Sequence, residues 1–389
     1  MDSSGSETEE RVVLMLICLP RIRHSHRLPL VYPGRRPLKP RPGLDYAAAM
    51  VGPLIPDAAA GDSTGAAPAF ADPQPDILGA GFESLTVALP DDTEGPVIAT
   101  LVRHSAPETT RRAVLYVHGF SDYFHQVELA EFHAARGEDF YAIDLRKNGR
   151  SLLPHQTPTR MADISDYYPE LDCALRRITG DGHDELVINA HSTGGLIAVS
   201  WLTYLRDRDR DLDVIRAIVL NSPFLDIPAA WPVRALAPRP LAVLARNRPL
   251  MVLPSSGPSF YQVSTHRTER GEWDFVPEWK PVTGGTVRVE WLVAAQRAIA
   301  RAHAGLDIQC PILVLCSARS VRGKEWTDEF FRGDAVLDAD AIARWSFRLG
   351  GHVTCIRIVD GMHDLLLSLP DVRKRVYGEI ARWSDTYAR

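Results

Sequence analysis

Leu186-Val187-Ile188-Asn189-Ala190-His191-Ser192-Thr193-Gly194-Gly195-Leu196-Ile197-Ala198 changes character twice. An apolar run stops at a serine, two glycines follow, and a second apolar run begins with helical spacing. This is how a strand, a sharp turn and a helix read in succession, with Ser192 at the apex. Such a turn strains the backbone at the serine, so the residues two before and two after it must be small. Ala190 and Gly194 meet that need. A-H-S-T-G is one methyl away from the G-x-S-x-G pattern of an exposed, nucleophilic serine. The turn also sets the Thr193 N–H at a helix N-terminus, where developing negative charge is favoured. The plainer alternative is a serine that merely caps a helix after a buried strand. The rest of the chain has to separate the two.

The 389 residues suffice for one large domain with an insertion, or for two domains. Hydrophobic residues make up 45% and charged residues 24%, as in an ordinary soluble globule. A net charge of −5 gives no electrostatic case for binding nucleic acid or an anionic membrane. The five cysteines, Cys18, Cys173, Cys310, Cys316 and Cys355, form no C-x-x-C pair, and all but Cys18 lie in or beside apolar segments. Reduced core thiols and a cytoplasmic location are expected. No metal-ligand spacing links Cys, His, Asp and Glu. The apolar run Val12 to Leu19 is too short to span a bilayer, and its flank is acidic (Glu7, Glu9, Glu10). Neither a leader nor a stable membrane insertion is expected.

Residues 1–80 differ from the rest. Arg21 to Pro42 is rich in Arg and Pro, and Ala58 to Pro75 in Ala, Pro, Gly and Asp. Neither could bury enough apolar surface to offset its ordering entropy, so a disordered extension is expected. A basic docking arm, or a true start at Met50, are the alternatives.

From Gly81 strands and helices alternate. Strands are expected at Phe82 to Leu89, Pro96 to His104, Arg112 to His118, Phe140 to Leu145, from Glu185, and at Val214 to Asn221. Helices are expected at Gln126 to Ala135, Ile164 to Ile178 and Thr193 to Arg206. This alternation indicates a mostly parallel sheet covered on both faces, an α/β fold. It stops at Pro223. Residues 227–288, rich in proline and scattered aromatics, read as an insertion after the sixth strand. A helix at Val289 to Ala304, the strand Ile312 to Cys316, the helix Asp338 to Leu349, the strand His352 to Val359 and the helix Asp371 to Ser384 complete the pattern. The chain thus divides into an extension (1–80), a core in two parts (81–226 and 289–389) and a cap (227–288). Sites in such sheets lie beyond the carboxyl ends of the strands, which sets the cap over Ser192.

A serine nucleophile needs a base within hydrogen-bond reach, and the base needs a carboxylate to fix its tautomer. Both should follow Ser192, acid before histidine, each just after a strand. His363, in Val359-Asp360-Gly361-Met362-His363-Asp364, follows the last strand. The acid should follow the Ile312 to Cys316 strand. Asp334 and Asp338 both qualify, with Asp328 weaker. Asp334 is preferred because Asp338 is well placed as the N-cap of the next helix. The loop after the Arg112 to His118 strand should bring a second oxyanion donor, the Phe120 N–H, beside that of Thr193. His118 and His191 are expected to brace these loops.

His118-Gly119-Phe120, Ala190-His191-Ser192-Thr193-Gly194-Gly195, Asp334-Ala335-Val336-Leu337-Asp338 and Gly361-Met362-His363-Asp364 together resemble the α/β-hydrolase superfamily. Within it they resemble the monoacylglycerol lipase/lysophospholipase-like branch, of serine aminopeptidase S33 type. Asp144-Leu145-Arg146-Lys147-Asn148-Gly149-Arg150-Ser151 is similar to that branch's D-x-R-G-x-G-x-S loop. The resemblance spans about Phe82 to Arg382. The sequence departs from it at Ala190, at Lys147, which stands where the loop has glycine, and in the long segment Ser317 to Gly333. The resemblance implies an α/β-hydrolase fold with a helical cap. It also implies a serine hydrolase of apolar acyl esters that needs neither cofactor nor metal. An acyltransferase with the same triad, or a ligand-binding protein with negligible turnover, are the rival readings. Ser192 argues against dehalogenase and epoxide hydrolase chemistry, which need an aspartate there. Oligomeric state is left open.

Overall fold

Buried strands flanked by amphipathic helices must pair into one sheet with helices on both faces, and the computed structural model has that form. It describes residues 68–228, 238–253 and 259–388. The strands are β1 (Gln74–Pro75), β2 (Phe82–Asp92), β3 (Gly95–His104), β4 (Arg112–Val117), β5 (Asp139–Asp144), β6 (Glu185–His191), β7 (Ile215–Asn221), β8 (Ile312–Ser317) and β9 (Val353–Ile358). The principal helices are α1 (Val127–Ala135), α2 (Tyr168–Gly180), α3 (Thr193–Arg206), α4 (Pro238–Asn247), α5 (Phe260–Thr265), α6 (Val289–Ala304), α7 (Ala339–Ser346) and α8 (Pro370–Tyr387). The sheet order is β1-β2-β3-β5-β4-β6-β7-β8-β9. Pairing from β5 onward is parallel, and β1, β2 and β3 join antiparallel.

The period of two along the strands sorts side chains between two cores. Ala113, Leu115 and Val117 of β4 face a cluster that also takes Leu171 and Ile178 of α2, Leu196 and Leu202 of α3, and Ala295 and Ile299 of α6. Val114 and Tyr116 face the other side, with Leu129 of α1 and Val372, Val376, Ile380 and Trp383 of α8. Steps of four, four and three along α8 are one apolar helical stripe. A strand buried on both faces reads as a continuous apolar run, as β4 and β6 do.

The expected helix from Ile164 begins as a tight 3₁₀ turn, Ile164–Tyr167, capped reciprocally by Asp163 and Asp166, and continues as α2. The other core elements lie within a few residues of their expected ends.

The expected boundary between residues 80 and 81 moves toward the N-terminus. Phe70 bridges to Val87, and Gln74 and Pro75 pair with Ser84 and Glu83 of β2. Asp76, buried, holds Arg150 through Oδ2 to Nε at 2.7 Å and Oδ1 to Nη2 at 2.8 Å. Backbone pairing and one ion pair anchor this segment despite its Pro- and Asp-rich composition. Residues 1–67, and with them the rest of the expected extension, lie outside the described residues, as does Cys18.

Described residues of the segment between β7 and α6 contact the loops that follow the parallel strands: Tyr261 packs on His363 and Lys280 pairs with Asp122. The Trp273 indole donates to the Leu367 carbonyl at 3.0 Å, and the Trp326 indole to the Ser264 hydroxyl at 2.9 Å. Among the described residues no helix is long and apolar enough to cross a membrane.

Candidate active site

β4 and β6 are parallel neighbours with Val117 opposite Ala190, so the loops that follow them emerge side by side. Ser192 stands between β6 and α3 with φ +51° and ψ −117°. A non-glycine residue held there is strained by about 1–3 kcal/mol, and the surroundings must enforce it. They do. A Cβ on Gly194 would lie 2.4 Å from the carbonyl oxygens of both Val117 and His118. Only glycine lets the start of α3 come this close to the end of β4. On the other loop, a Cβ on Gly119 would meet the His191 ring at 3.0 Å and Ser192 Cβ at 3.2 Å. The two loops are therefore in van der Waals contact at the serine.

β9 ends beyond β8 on the far side of β7, and the loop after it carries His363 back over the sheet. Asp334 follows β8 and is fully buried. Its Oδ1 accepts from the Val336 and Leu337 N–H groups at 2.8 and 2.7 Å, and its Oδ2 accepts from His363 Nδ1 at 2.9 Å. A carboxylate can only accept, so the Nδ1 proton points at Asp334. Nε2 is then free to accept from Ser192 Oγ at 3.0 Å. Burial alone would raise the Asp334 carboxyl. The His363 ring and the two backbone donors outweigh that and hold it below the usual carboxylate range.

Asp338 sits elsewhere. Its side chain accepts from the Asp340 and Ala341 N–H groups at 3.0 and 3.2 Å and caps α7. Asp328 is exposed and opens a 3₁₀ turn, Asp328–Phe331, that buries Phe330. Thr193 is the first residue of α3, where helix geometry leaves the N–H without an intrahelical acceptor. The Phe120 N–H makes no hydrogen bond among the described residues. His118 accepts from the Leu145 N–H at 3.0 Å through Nε2 and reaches the Gly119 carbonyl at 2.7 Å through Nδ1. His191 Nδ1 lies 3.1 Å from the Asn221 carbonyl. Both histidines brace the loops, and burial lowers the His191 pKa.

The D-L-R-K-N-G-R-S loop folds around a carboxylate. Asp144 Oδ1 accepts from the Phe124 N–H at 2.9 Å, and Oδ2 from Arg150 Nη1 at 2.9 Å. Lys147 has φ +61°, the conformation that favours glycine. Its buried ammonium pairs with Asp92, and with Glu94 at 2.7 Å, which keeps a lysine in a backbone that glycine would adopt freely.

Three features were not read from the sequence. Asp364, beside His363, accepts from Asn221 Nδ2 at 2.7 Å and Gln126 Nε2 at 3.1 Å, which ties the histidine loop to β7 and to the start of α1. Tyr261 of α5 sets its ring edge against His363, centroids 5.4 Å apart at 86°, and its buried hydroxyl has no hydrogen-bond partner among the described residues. Phe120, Phe224 and Trp291 form an aromatic group, Trp291 lying 4.4 Å from Phe120 and 5.9 Å from Phe224. The Phe224 N–H donates to the Ser192 carbonyl at 2.9 Å, which fixes this group beside the serine. Asp364 was visible only as the neighbour of a histidine. Tyr261 reaches His363 from the inserted segment, and Phe120, Phe224 and Trp291 meet from three stretches far apart in the chain, so no local periodicity marks either.

The sequence pattern of the family described as serine aminopeptidase, S33 matches residues 108–321. The chain belongs to that family. The match contains Ser192 and both flanking loops, and Asp334 and His363 lie beyond its end. A soluble variant of the monoglyceride lipase from Saccharomyces cerevisiae superposes with a TM-score of 0.55 at 14% identity, covering 83% of this chain and 98% of that one. A monoacylglycerol lipase from Paleococcus ferrophilus gives 0.53 at 18% identity, covering 73% and 96%. A carboxyl esterase from Bacillus coagulans gives 0.53 at 14%, covering 80% and 100%. No curated protein sequence matches the chain. At these identities the likeness is one of fold, and this S33-family member has the α/β-hydrolase fold, a mostly parallel sheet covered on both faces.

Proposed function

We propose that this S33-family hydrolase cleaves carboxylic esters of apolar acids through an acyl-enzyme on Ser192. The observation that carries the reading is the relay from Asp334 through His363 to Ser192, with hydrogen bonds of 2.9 and 3.0 Å, on a serine held at φ +51°. His363 Nε2 takes the Ser192 proton as Oγ attacks the acyl carbonyl. The Phe120 and Thr193 N–H groups receive the oxyanion. His363 then returns the proton to the leaving alcohol, and water repeats the sequence on the acyl-enzyme. Asp334 stays ionised and orients the imidazole throughout.

Ester rather than peptide substrates are favoured by where the carboxylates go. An aminopeptidase needs a free anion for the substrate ammonium. Around this site Asp334 is engaged by His363, Asp364 by Asn221 and Gln126, and Asp122 by Lys280. The aromatic group at Phe120, Phe224 and Trp291 supports an apolar acyl chain. The segment 227–288 acts as the cap over it. The free thiols Cys173, Cys310, Cys316 and Cys355 support a reducing, cytoplasmic setting.

The test is hydrolysis of p-nitrophenyl esters from acetyl to palmitoyl by the wild type and Ser192→Ala. A loss of about four orders of magnitude or more is expected in the variant. Equal rates in the two proteins, or inertness of both on every ester, would overturn the reading.

A further inference from the structure

Lys280 is a cation with almost no access to water, at 1% exposure. It belongs to the cap and its charge is spent on the core. Nζ lies 2.8 Å from Asp122 Oδ1 and donates to His125 Nε2 at 3.1 Å, with the Phe275 ring centroid 5.2 Å away. Asp122 is itself buried, two residues after Phe120 in the loop that leaves β4. The same stretch of cap grips that loop at other points. The Val276 N–H donates to the Tyr123 hydroxyl at 2.8 Å, and Trp279 stands edge-on to the Tyr123 ring at 5.1 Å. A Cβ on Gly285 would fall 2.4 Å from Ser121 Cβ and 2.7 Å from Phe120 Cε1, so the cap backbone lies directly on this loop.

The loop needs such a grip. Ser121, between Phe120 and Asp122, has φ +49° without being glycine. A strained residue relaxes unless the structure on both sides fixes it. Gly119 against His191 and Ser192 fixes one side, and the Asp122–Lys280 pair fixes the other. A buried ion pair adds little net stability over an apolar replacement, so its presence here points to geometry.

We propose that Lys280 is a positioning residue for the oxyanion donor. Through Asp122 it holds residues 118–122 in the conformation that presents the Phe120 N–H to the acyl carbonyl. Residues 273–285 of the cap are then a fixed part of the machinery that stabilises charge, and substrate enters past other parts of the cap. This rests on the ester-hydrolase reading above.

The experiment uses the full chain with Lys280→Met, Lys280→Arg and the double variant Asp122→Asn/Lys280→Met, the last removing both charges together. An n-alkyl trifluoromethyl ketone, which forms a tetrahedral oxyanion on the serine, reports the donor directly. Lys280→Met is expected to lower kcat about 100-fold, the scale of one lost oxyanion contact. KM should stay within about threefold, and ketone affinity should fall by the same factor as kcat/KM. The double variant should fold and melt near the wild type yet keep the low kcat, while Lys280→Arg should recover part of it. If Lys280→Met does not fold, the double variant carries the test alone. A folded double variant with wild-type kcat and ketone affinity would overturn the proposal, and so would a loss confined to KM. Ser192→Ala run alongside separates the two failures. If it hydrolyses esters like the wild type, the ester-hydrolase reading falls. If it is inert while the Lys280 variants keep kcat and ketone affinity, only the role of Lys280 falls.

Discussion

Ser192, Asp334 and His363 stand on loops that leave β6, β8 and β9, whereas Tyr261, Trp273 and Lys280 reach the same end of the sheet from the segment between β7 and α6. The first group is placed by strand register. Val117 opposite Ala190, and Ser317 opposite Ile358, decide where each loop starts. The second group is placed by side-chain contacts with those loops: a ring edge on His363, an indole on the Leu367 carbonyl, an ammonium on Asp122. Groups on strand ends are thus held by the stability of the whole sheet, and groups on the cap by a few pairwise bonds. Changes in the first group should strike the chemical step, and changes in the second should mostly alter substrate binding, with Lys280 as the exception.

The largest effect should separate two carboxylates only four residues apart. Asp334→Asn is expected to lower kcat by about 10³- to 10⁴-fold, because an amide no longer fixes the His363 tautomer. Asp338→Ala should leave kcat within about twofold and cost about 1 kcal/mol through the lost cap of α7, read as a lower melting temperature. Comparable kcat losses in both variants would break the division of roles drawn here.

Tyr261→Phe probes the cap side. The buried Tyr261 hydroxyl is unpartnered among the described residues, and a hydrogen bond from it to substrate would be worth about 0.5–1.5 kcal/mol, so its loss should raise KM about two- to tenfold while kcat stays within about twofold. A large fall in kcat with KM unmoved would place Tyr261 with the strand-end group. The measurement is steady-state kinetics on one ester across a full concentration range.

The smallest effect is on acid stability. Burial would raise Asp122, but the Lys280 charge outweighs it and holds the carboxylate below its ordinary range, as His363 does for Asp334. For groups whose folded pKa is depressed, the stabilisation is fully present above the unfolded pKa of about 3.9 and is lost as pH falls below it. The wild type should therefore lose melting temperature more steeply between about pH 5 and 3 than the Asp122→Asn/Lys280→Met variant, by a few degrees in calorimetry. Parallel slopes would show that the pair carries no proton linkage.

The same division explains what the sequence discloses. Ala190 to Gly195 must be small-serine-small because two carbonyls crowd Gly194, so the turn is written locally. Asp334 and His363 follow strands recognisable by their apolar runs, and chain order supplies the rest. Capping chemistry separates Asp338 from Asp334 in the sequence itself, since a residue that starts a helix has its oxygens committed. Tyr261 and Lys280 lie in a stretch with neither period two nor period 3.6, and their roles depend on partners more than a hundred residues away. Lys147 was visible as a departure from the D-x-R-G pattern, but the two carboxylates that compensate it lie in the β2–β3 hairpin. The pairing of residues 70–76 with β2 leaves no sign in the sequence because backbone hydrogen bonds carry no compositional mark.

That last pairing has a practical edge. Asp76 is the bidentate partner of Arg150, Arg150 also donates to the Phe124 carbonyl at 3.0 Å, and Asp144 holds the Phe124 N–H. A chain shortened to begin at Gly81, where composition alone would cut, would leave a buried guanidinium half-paired directly beneath the loop that carries Phe120 and Asp122. Trimming what reads as a tail would loosen, from below, the end of the molecule that carries the candidate site.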